Sequence, residues 1–320
     1  MIVVTGASGL IGSALAERLS DHQLCLQVRK RTKSPGLAGK GQIKEIDFES
    51  SSDNTINALV QGAETVIHSA GLVHQPDATF GQYELLNVRA TEQIATQAAK
   101  VGVKTFVLLS TSAVYGHGPF ENIEESGPIK AETPYALSKL RCEQFLQQLT
   151  GLERIIVVRP ALVFGEGDRG NLISLIRQIN SGKYFNIGGN KARKSLIYAK
   201  DVAEAIRLLV EKAPTGYQEY NVANPETISV TDLSNQIARC LQKGNQVSLP
   251  EPLLRAGASI AEGLLGEKSP VTVSKIEKLT TTTTCSVQKL TETTKFSPKF
   301  SLADALANEI DWAKKTGLLN

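Results

Sequence analysis

A tyrosine and a lysine four residues apart form the first group in the sequence that could carry out chemistry. Tyr135 and Lys139 lie in a stretch, residues 134–149, whose apolar residues recur at helical spacing, and such spacing places both side chains on one helix face. A phenol with an ordinary pKa of about 10 is a weak acid-base group at neutral pH, and a nearby ammonium lowers that pKa by stabilising the phenolate. The pair therefore predicts a proton shuttle.

Hydroxyl side chains follow an apolar run at residues 105–110 that we interpret as a buried strand. Ser110, Thr111 and Ser112 stand where that strand ends. The carboxyl end of a strand in a doubly wound sheet borders the ligand crevice, so these hydroxyls are expected to face the same substrate oxygen as Tyr135. The alternative is that they only cap a turn or helix.

Glycines at positions 6, 9 and 12 directly follow a predicted strand at residues 2–5 and precede a predicted helix at 13–19. In that context they give a tight turn, a close backbone approach to a pyrophosphate, and close packing of helix on strand, while the helix N-terminus supplies amide donors. An ordinary glycine turn is the alternative. The motif predicts a dinucleotide site formed by Gly6, Ser8, Gly9, Leu10, Ile11 and Gly12.

The end of the second predicted strand indicates which dinucleotide binds. It reads Gln27-Val28-Arg29-Lys30-Arg31, where a site that prefers NAD usually has a carboxylate on the ribose. Arg29, with Lys30 or Arg31 nearby, could hold a 2′-phosphate through charge-assisted hydrogen bonds. This favours NADP over NAD, although a solvated basic loop would leave NAD open.

The elements that must position these residues alternate between short apolar runs and amphipathic helices. This alternation predicts an α/β fold: a doubly wound parallel sheet (Rossmann) with a smaller C-terminal α/β substrate domain. We place the dinucleotide-binding domain at residues 1–160 and the mainly substrate-binding part at 161–320, with some of its segments returning to the sheet. The predicted strands are 2–5, 24–28, 43–46, 65–68, 105–110 and 154–158, and the helices 13–19, 91–100 and 134–149.

Two later segments have unusual composition. Residues 253–265 are apolar on one face, and we interpret them as a packed or interfacial helix rather than a membrane contact. The threonine run at 280–284 is expected to form an exposed edge strand or a loop.

Composition excludes several classes of protein. The chain has 320 residues, of which 41% are hydrophobic and 21% charged, with a net charge of +3 and no basic block, so we expect a sizeable core and no nucleic-acid partner. No apolar stretch reaches about 18 residues, and the chain begins with a strand rather than a signal peptide. The four cysteines lack metal-site spacing, so reduced thiols and no metal are expected. These features predict a cytoplasmic protein with no membrane partner.

Together the motifs resemble the extended short-chain dehydrogenase/reductase family, which includes nucleotide-sugar epimerases, dehydratases and ketoreductases. In that resemblance Thr111, four residues before Tyr115 of a Val-Tyr-Gly signature, bonds the reacting oxygen. Tyr135 is the acid-base, and Lys139 holds the nicotinamide ribose. The further matching segments are Asp47-Phe48, His68-Ser69-Ala70-Gly71, Asn87-Val88-Arg89-Ala90-Thr91 and Arg159-Pro160-Ala161-Leu162-Val163-Phe164-Gly165. The cofactor contacts that they imply are Asp47, Phe48, Ser69, Ala70, Gly71, Asn87, Ser110, Pro160 and Val163.

The resemblance also implies substrate contacts at Thr111, Ser112 and Asn171, with a cation on the substrate diphosphate. Register from Asp201 places Lys194 at the cation position, and Arg193 is one residue away. Only arginine offers a bidentate fork, so the choice between the two stays open.

Two activities fit this pattern. The first is an NADP-dependent ketoreductase acting on carbon 4 of a nucleotide-linked sugar, since residues 71–75 and 193–198 resemble the branch that handles UDP-linked N-acetyl sugars. The second is a 4-epimerase with tightly bound NAD. A 4,6-dehydratase is disfavoured because Ser112-Ala113 replace the Asp-Glu of that branch, and a non-catalytic dinucleotide sensor because both Tyr135 and Lys139 are present. The resemblance also allows a homodimer through residues 87–100 and 134–149.

Overall fold

The structure is a computed structural model that describes residues 1–30, 32, 35–73, 75, 78–266 and 272–319. Arg31 and His74, which belong to segments interpreted above, lie outside the described residues. The strands are β1 Ile2–Thr5, β2 Leu24–Val28, β3 Gln42–Glu45, β4 Thr65–His68, β5 Thr105–Leu109, β6 Phe120–Ile123, β7 Arg154–Pro160, β8 Leu162–Phe164, β9 Asn186–Gly188, β10 Arg193–Lys194, β11 Leu196–Tyr198, β12 Gly216–Val222, β13 Ile228–Ser229, β14 Ser248–Pro250 and β15 Thr283–Cys285. The helices are α1 Leu10–Arg18, α2 Asp53–Val60, α3 Phe80–Tyr83, α4 Ala90–Lys100, α5 Pro134–Gln148, α6 Asn171–Asn180, α7 Ala199–Lys212, α8 Val230–Cys240, α9 Glu251–Leu265, α10 Val273–Thr280, α11 Gln288–Thr294 and α12 Leu302–Lys315.

Seven parallel strands form the central sheet in the order β12-β7-β5-β4-β1-β2-β3. Residues of β2, β4 and β5 are buried throughout, as expected for β-branched and apolar runs covered by helices on both faces. The chain leaves β1 toward β2 on one side and reaches β4 on the other, so the strand order reverses between β1 and β4. A ligand crevice is expected at the carboxyl ends of these two strands. The predicted fold class is confirmed.

Helices cover the sheet on both faces. On one face α1 and α7 pack together around residues such as Leu15 and Ile206, and on the other α2, α4 and α5 bury residues such as Ile56, Ile94 and Leu146. The predicted helices correspond to α1, α4 and α5, whereas α2 and α7 were not predicted. This packing places the N-terminus of α1 and the first turns of α5 at the same sheet edge, which is where the site forms.

The seventh strand, β12, comes from the second half of the chain. It pairs with β7 along its whole length, from Gly216 opposite Arg154 to Val222 opposite Pro160. The sequence analysis did not identify this strand, because its polar residues, such as Gln218 and Glu219, interrupt the apolar alternation.

The helix that crosses the sheet after β4 contains a π-helical segment. α3 continues through a π-helix at Glu84–Arg89 directly into α4. π-helical segments are rare in proteins, and many of those that occur lie at functional sites. The wider turn lies at Asn87, one of the predicted cofactor residues.

The remaining strands form a smaller sheet, β13-β10-β15-β6, and two pairs, β8 with β11 and β9 with β14. β15 lies between β10 and β6, and Thr284 is only 3% exposed. The predicted loop is found at residues 281–282, but the prediction of an exposed edge is wrong for residues 283–284, because partners from distant segments cover both edges of β15. α9 packs on β9 and β14 through Ala258 but leaves Leu253 and Ile260 exposed. In the described part of the chain, no helix is both long and apolar enough to span a bilayer.

Candidate active site

The glycine turn has the geometry of a dinucleotide cradle. Gly6 has a φ of +65°, which favours glycine, and a Cβ on Gly12 would lie 2.1 Å from the Gly6 carbonyl oxygen. Gly9 is the N-cap of α1, and no side chain caps that helix end. The amides of the first turn of α1 can therefore serve an anionic group, so the residues present fit a pyrophosphate.

A buried glutamine on β2 holds this turn in place. Gln27 accepts a hydrogen bond at Oε1 from the Gly6 amide, 2.9 Å away, and donates from Nε2 to the Ile46 carbonyl at 2.6 Å. The sequence analysis missed this role. A lone glutamine inside an otherwise apolar buried strand was the signal that could have revealed it.

A histidine network joins the end of β1 to the end of β4. His68 is hydrogen-bonded to Thr5 at 2.8 Å and to Thr91 at 3.1 Å, and complete burial, with the nearby Lys139 charge, lowers its pKa to about 3. Ser69 Oγ donates to the Thr5 carbonyl at 2.6 Å. His68 is therefore neutral and positions the segment at the end of β4 that was predicted to contact the cofactor.

Asn87 ties the same segment to the catalytic helix. Its Oδ1 accepts from the Leu72 amide at 2.7 Å, and its Nδ2 donates to Ser138 Oγ at 2.8 Å. The side chain is fully buried. In this structure Asn87 therefore links the backbone after β4, at Leu72, to the Ser138 side chain on α5.

The glycine turn and the catalytic pair lie on the same side of the molecule. A Cβ on Gly6 would lie 2.7 Å from the Ala70 Cα, and a Cβ on the following residue, Gly71, would lie 3.3 Å from Lys139 Nζ. The ends of β1 and β4 thus bridge the cradle to α5. A nicotinamide enzyme needs its glycine turn and its catalytic pair on the same side of the molecule, and this structure has them there.

The three predicted catalytic residues converge at the end of β5. The hydroxyl of Thr111 lies close enough to Tyr135 to act on its phenol, and Lys139 Nζ donates to the Leu109 carbonyl at 2.8 Å. Thr111 Oγ also accepts from the Ala113 amide at 3.2 Å, so it caps a 3-10 turn as well. The two interpretations of this hydroxyl, as a site residue and as a cap, are compatible.

Burial controls the electrostatics of this cluster. It raises the pKa of Tyr135 to about 12, with Thr111 opposing, and it lowers the pKa of Lys139, with Cys142 and Glu143 opposing. The prediction that the neighbouring amine makes the phenol more acidic is therefore wrong for the chain alone. The cost of burying a phenolate dominates, and Thr111 rather than Lys139 is the group that opposes it.

Arg29 and Asp47, which were predicted to contact the cofactor, follow β2 and β3. Arg29 is exposed just after β2, and none of the described residues forms an ion pair with it. Asp47 accepts from the Lys30 amide at 3.1 Å, and the Phe48 ring packs edge-on against His68 with centroids 6.3 Å apart. An exposed guanidinium without an ion-pair partner can serve a phosphate.

The residues predicted beside the nicotinamide and the sugar lie on two consecutive strands, a turn and a helix. Pro160 ends β7, and Val163 is in β8, which pairs with β11 and so approaches the segment after Lys194. Ser112 is half-buried in the turn after Thr111. The exposed Asn171 is the first residue of α6.

The two candidate cations for the substrate diphosphate already have protein partners. Arg193 donates to the side chain and carbonyl of Thr227. Lys194 Nζ donates to the carbonyls of Lys278 and Thr281, at 2.8 and 2.6 Å, and burial lowers its pKa to about 8. A role at a diphosphate stays a prediction for both, since either would have to exchange these bonds for the ligand.

In the part of the chain that the structure describes, no group of three or more His, Cys, Asp or Glu side chains is arranged to hold a metal ion.

Comparisons with known proteins agree with this geometry. The model of the NAD dependent epimerase/dehydratase family matches residues 2–223. The N-acetyl-alpha-D-glucosaminyl-diphospho-ditrans,octacis-undecaprenol 4-epimerase of Escherichia coli O157:H7 is 26% identical over 88% of this chain and 86% of its own. UDP-glucose 4-epimerase of Vibrio cholerae is 27% identical over 79% of each chain. The UDP-glucuronic acid 4-epimerase of Bacillus cereus, solved in complex with NAD, superimposes with a TM-score of 0.77 at 20% identity and covers 98% of this chain and 99% of its own.

Proposed function

Because the chain belongs to the NAD-dependent epimerase/dehydratase family, whose members are extended short-chain dehydrogenases/reductases, we propose that it transfers hydride at carbon 4 of a nucleotide-linked hexose. The observation that carries the proposal is the convergence of Thr111, Tyr135 and Lys139 at the end of β5. A hydroxyl pair next to a buried ammonium, at the crevice of a doubly wound sheet, suits proton transfer to or from an alcohol.

The dinucleotide would be held by the glycine turn, by the end of β4 and by Lys139. When bound it supplies the hydride carrier, with a nicotinamide ring whose oxidised form is positively charged. The first-turn amides of α1 would bind the pyrophosphate, and Lys139 would reach the nicotinamide ribose from α5. Arg29 and Asp47 would meet the adenosine end.

In this arrangement Tyr135 gives a proton to, or takes one from, the oxygen on carbon 4. Thr111 donates a hydrogen bond to the same oxygen and keeps it oriented toward Tyr135. Each of these steps uses an atom already placed by β5 or α5.

Three compared proteins support carbon 4 of a diphosphate-linked sugar as the reacting position, since each is named as a 4-epimerase. We propose a UDP-linked hexose as substrate, with Ser112 and Asn171 at the sugar diphosphate and Arg193 or Lys194 as its cation. A guanidinium or ammonium that now bonds backbone carbonyls could exchange those acceptors for phosphate oxygens.

Two versions of the reaction have separate support. The exposed Arg29 favours a 2′-phosphate, hence NADPH and a net 4-ketoreduction. The family and the NAD complex of the compared Bacillus cereus epimerase favour bound NAD. The names of the compared 4-epimerases favour an oxidation followed by reduction of the other face of the same carbon. We favour the ketoreductase slightly, on the strength of Arg29.

The test is to purify the protein, release any dinucleotide with acid and identify it by mass spectrometry. Protein that is empty as isolated, binds NADPH and oxidises it with a UDP-4-keto sugar would support the ketoreductase. Stoichiometric NAD together with interconversion of UDP-hexose 4-epimers would support the epimerase. If neither dinucleotide binds and no UDP sugar is converted, the proposed function is wrong.

A further inference from the structure

A buried ion pair behind the catalytic residues joins the elements that carry them. Arg159, at the end of β7, donates from Nε to Glu143 Oε1 at 3.1 Å and from Nη2 to Oε2 at 2.7 Å. Glu143 is 2% exposed and Arg159 3%. Bidentate pairing of this kind has fixed geometry, and at this depth it loses little to solvent or salt.

The pair holds the segment around Thr111 at both of its ends. On one side, Ser110 Oγ donates to Glu143 Oε1. On the other, Arg159 Nη1 donates to the hydroxyl of Tyr115 at 3.1 Å. The residues between these two anchors form the turn that begins at Thr111. The position of the Thr111 hydroxyl therefore depends on one ion pair.

The same pair is linked to the catalytic helix and to the C-terminal half. Glu143 lies one turn after Lys139 on α5, and its charge acts on that ammonium. The Tyr115 hydroxyl donates to Asn221 Oδ1 at 2.8 Å, and Asn221 belongs to β12. Movement of any one of these elements would be transmitted to the others through this network.

We infer that Glu143 and Arg159 are positioning residues that set the contact between Thr111 and Tyr135. Neither touches the proposed reacting atoms. A rigid connection is needed because both hydroxyls must point at one oxygen, and a displacement of about 1 Å between reacting groups can cost roughly 100-fold in rate. The inference concerns the same site as the proposed function and rests on it.

The test weakens the anchors without leaving a charge unpaired. Ser110→Ala removes one anchor, and Ser110→Ala with Tyr115→Phe removes both. Ser234→Ala is the matched control, because Ser234 is also a buried serine whose hydroxyl donates to a single side chain, Asn186 Oδ1 at 2.7 Å, in the C-terminal part. For each variant kcat, KM, dinucleotide affinity and melting temperature are measured.

We expect kcat to fall about 10-fold in the single variant and about 100-fold in the double variant, with KM within roughly twofold of wild type. Ser234→Ala should lower the melting temperature similarly and keep the wild-type kcat. If the anchor variants lose no more kcat than Ser234→Ala, the inference is overturned.

Glu143→Gln gives a second measurement. The Glu143 charge raises the pKa of Lys139 against the effect of burial, and this variant removes that charge. The alkaline limb of its kcat profile should move to lower pH, and an unchanged limb would count against the inference.

Crystal structures separate this inference from the proposed function. In the double variant the distance between the Thr111 and Tyr135 hydroxyl oxygens should be longer than in the wild type, whether or not the wild-type enzyme turns over UDP sugars. A wild type without that activity would reject only the proposed function. An unchanged hydroxyl contact in the double variant would reject the positioning role.

Discussion

Glu309 on α12 offers a test of the folded state that does not depend on any substrate. Its carboxyl group is completely buried, and neither oxygen has a hydrogen-bond partner among the described residues. Burial, together with the negative charges of Asp168 and Glu166, raises its pKa from 4.5 to about 9, and the nearby Gly165 amide, which makes no hydrogen bond to it, offsets this only in part. The group is therefore neutral in the native protein at neutral pH.

The sign of the resulting pH dependence follows from proton binding. At pH values above the ordinary pKa of 4.5, the unfolded chain releases this proton while the native state keeps it. The stability that the protonated group contributes is therefore lost as the pH rises from 4.5 through about 9. Each pH unit is worth roughly 1.4 kcal/mol, so Glu309 should cost about 3 kcal/mol of stability by neutral pH relative to acid conditions.

Glu309→Gln should remove this cost, because an amide keeps the shape and polarity of the protonated carboxyl and cannot ionise. The free energy of unfolding is measured with urea from about pH 5 to about pH 8. Across that range the wild-type value should fall by about 2 to 4 kcal/mol more than the value for Glu309→Gln. Asp311→Asn, an exposed carboxylate on the same helix, is the control and should leave the slope unchanged. Parallel curves for wild type and Glu309→Gln would refute the reasoning.

Three further predictions concern the site. Tyr135→Phe should abolish turnover while leaving dinucleotide affinity nearly unchanged, since only proton transfer needs the hydroxyl; full activity in steady-state assays would remove Tyr135 from the mechanism. Arg29→Gln should weaken NADPH binding about 10-fold or more and leave NADH binding unchanged, because only the 2′-phosphate needs the cation; fluorescence titration that shows equal losses for both would contradict this role. Gly12→Ala should lose dinucleotide binding and lower the melting temperature, because its Cβ would lie 2.1 Å from the Gly6 carbonyl oxygen; calorimetry and titration that match wild type would show that the turn can widen.

Local patterns predicted much of the fold. The six predicted strands agree with β1, β2, β3, β4, β5 and β7 to within a few residues, and the predicted helix before Lys100 begins within a residue of α4. Such elements are encoded by the spacing of their own apolar residues. The π-helix at Asn87 and the central position of β15 have no local signature, because both depend on packing against distant segments.

The candidate site shows the same division. The contact between Thr111 and Tyr135 follows from strand and helix positions that could be read from the sequence. The raised pKa of Tyr135 could not, since it depends on how completely α5 is covered. Likewise, the carbonyls around Lys194 come from residues more than eighty positions away, and no spacing rule brings them together.

The pairing of β12 with β7 makes the two halves of the chain structurally inseparable. Residues 1–160 alone would end with β7 as an open edge of the sheet, with its backbone donors and acceptors unpaired, and would lack the Asn221 that bonds Tyr115. Open edges of this kind favour aggregation. A dinucleotide-binding fragment cut from this protein, or a chimera that exchanges its substrate-binding half, should therefore retain residues 216–222 from the same parent.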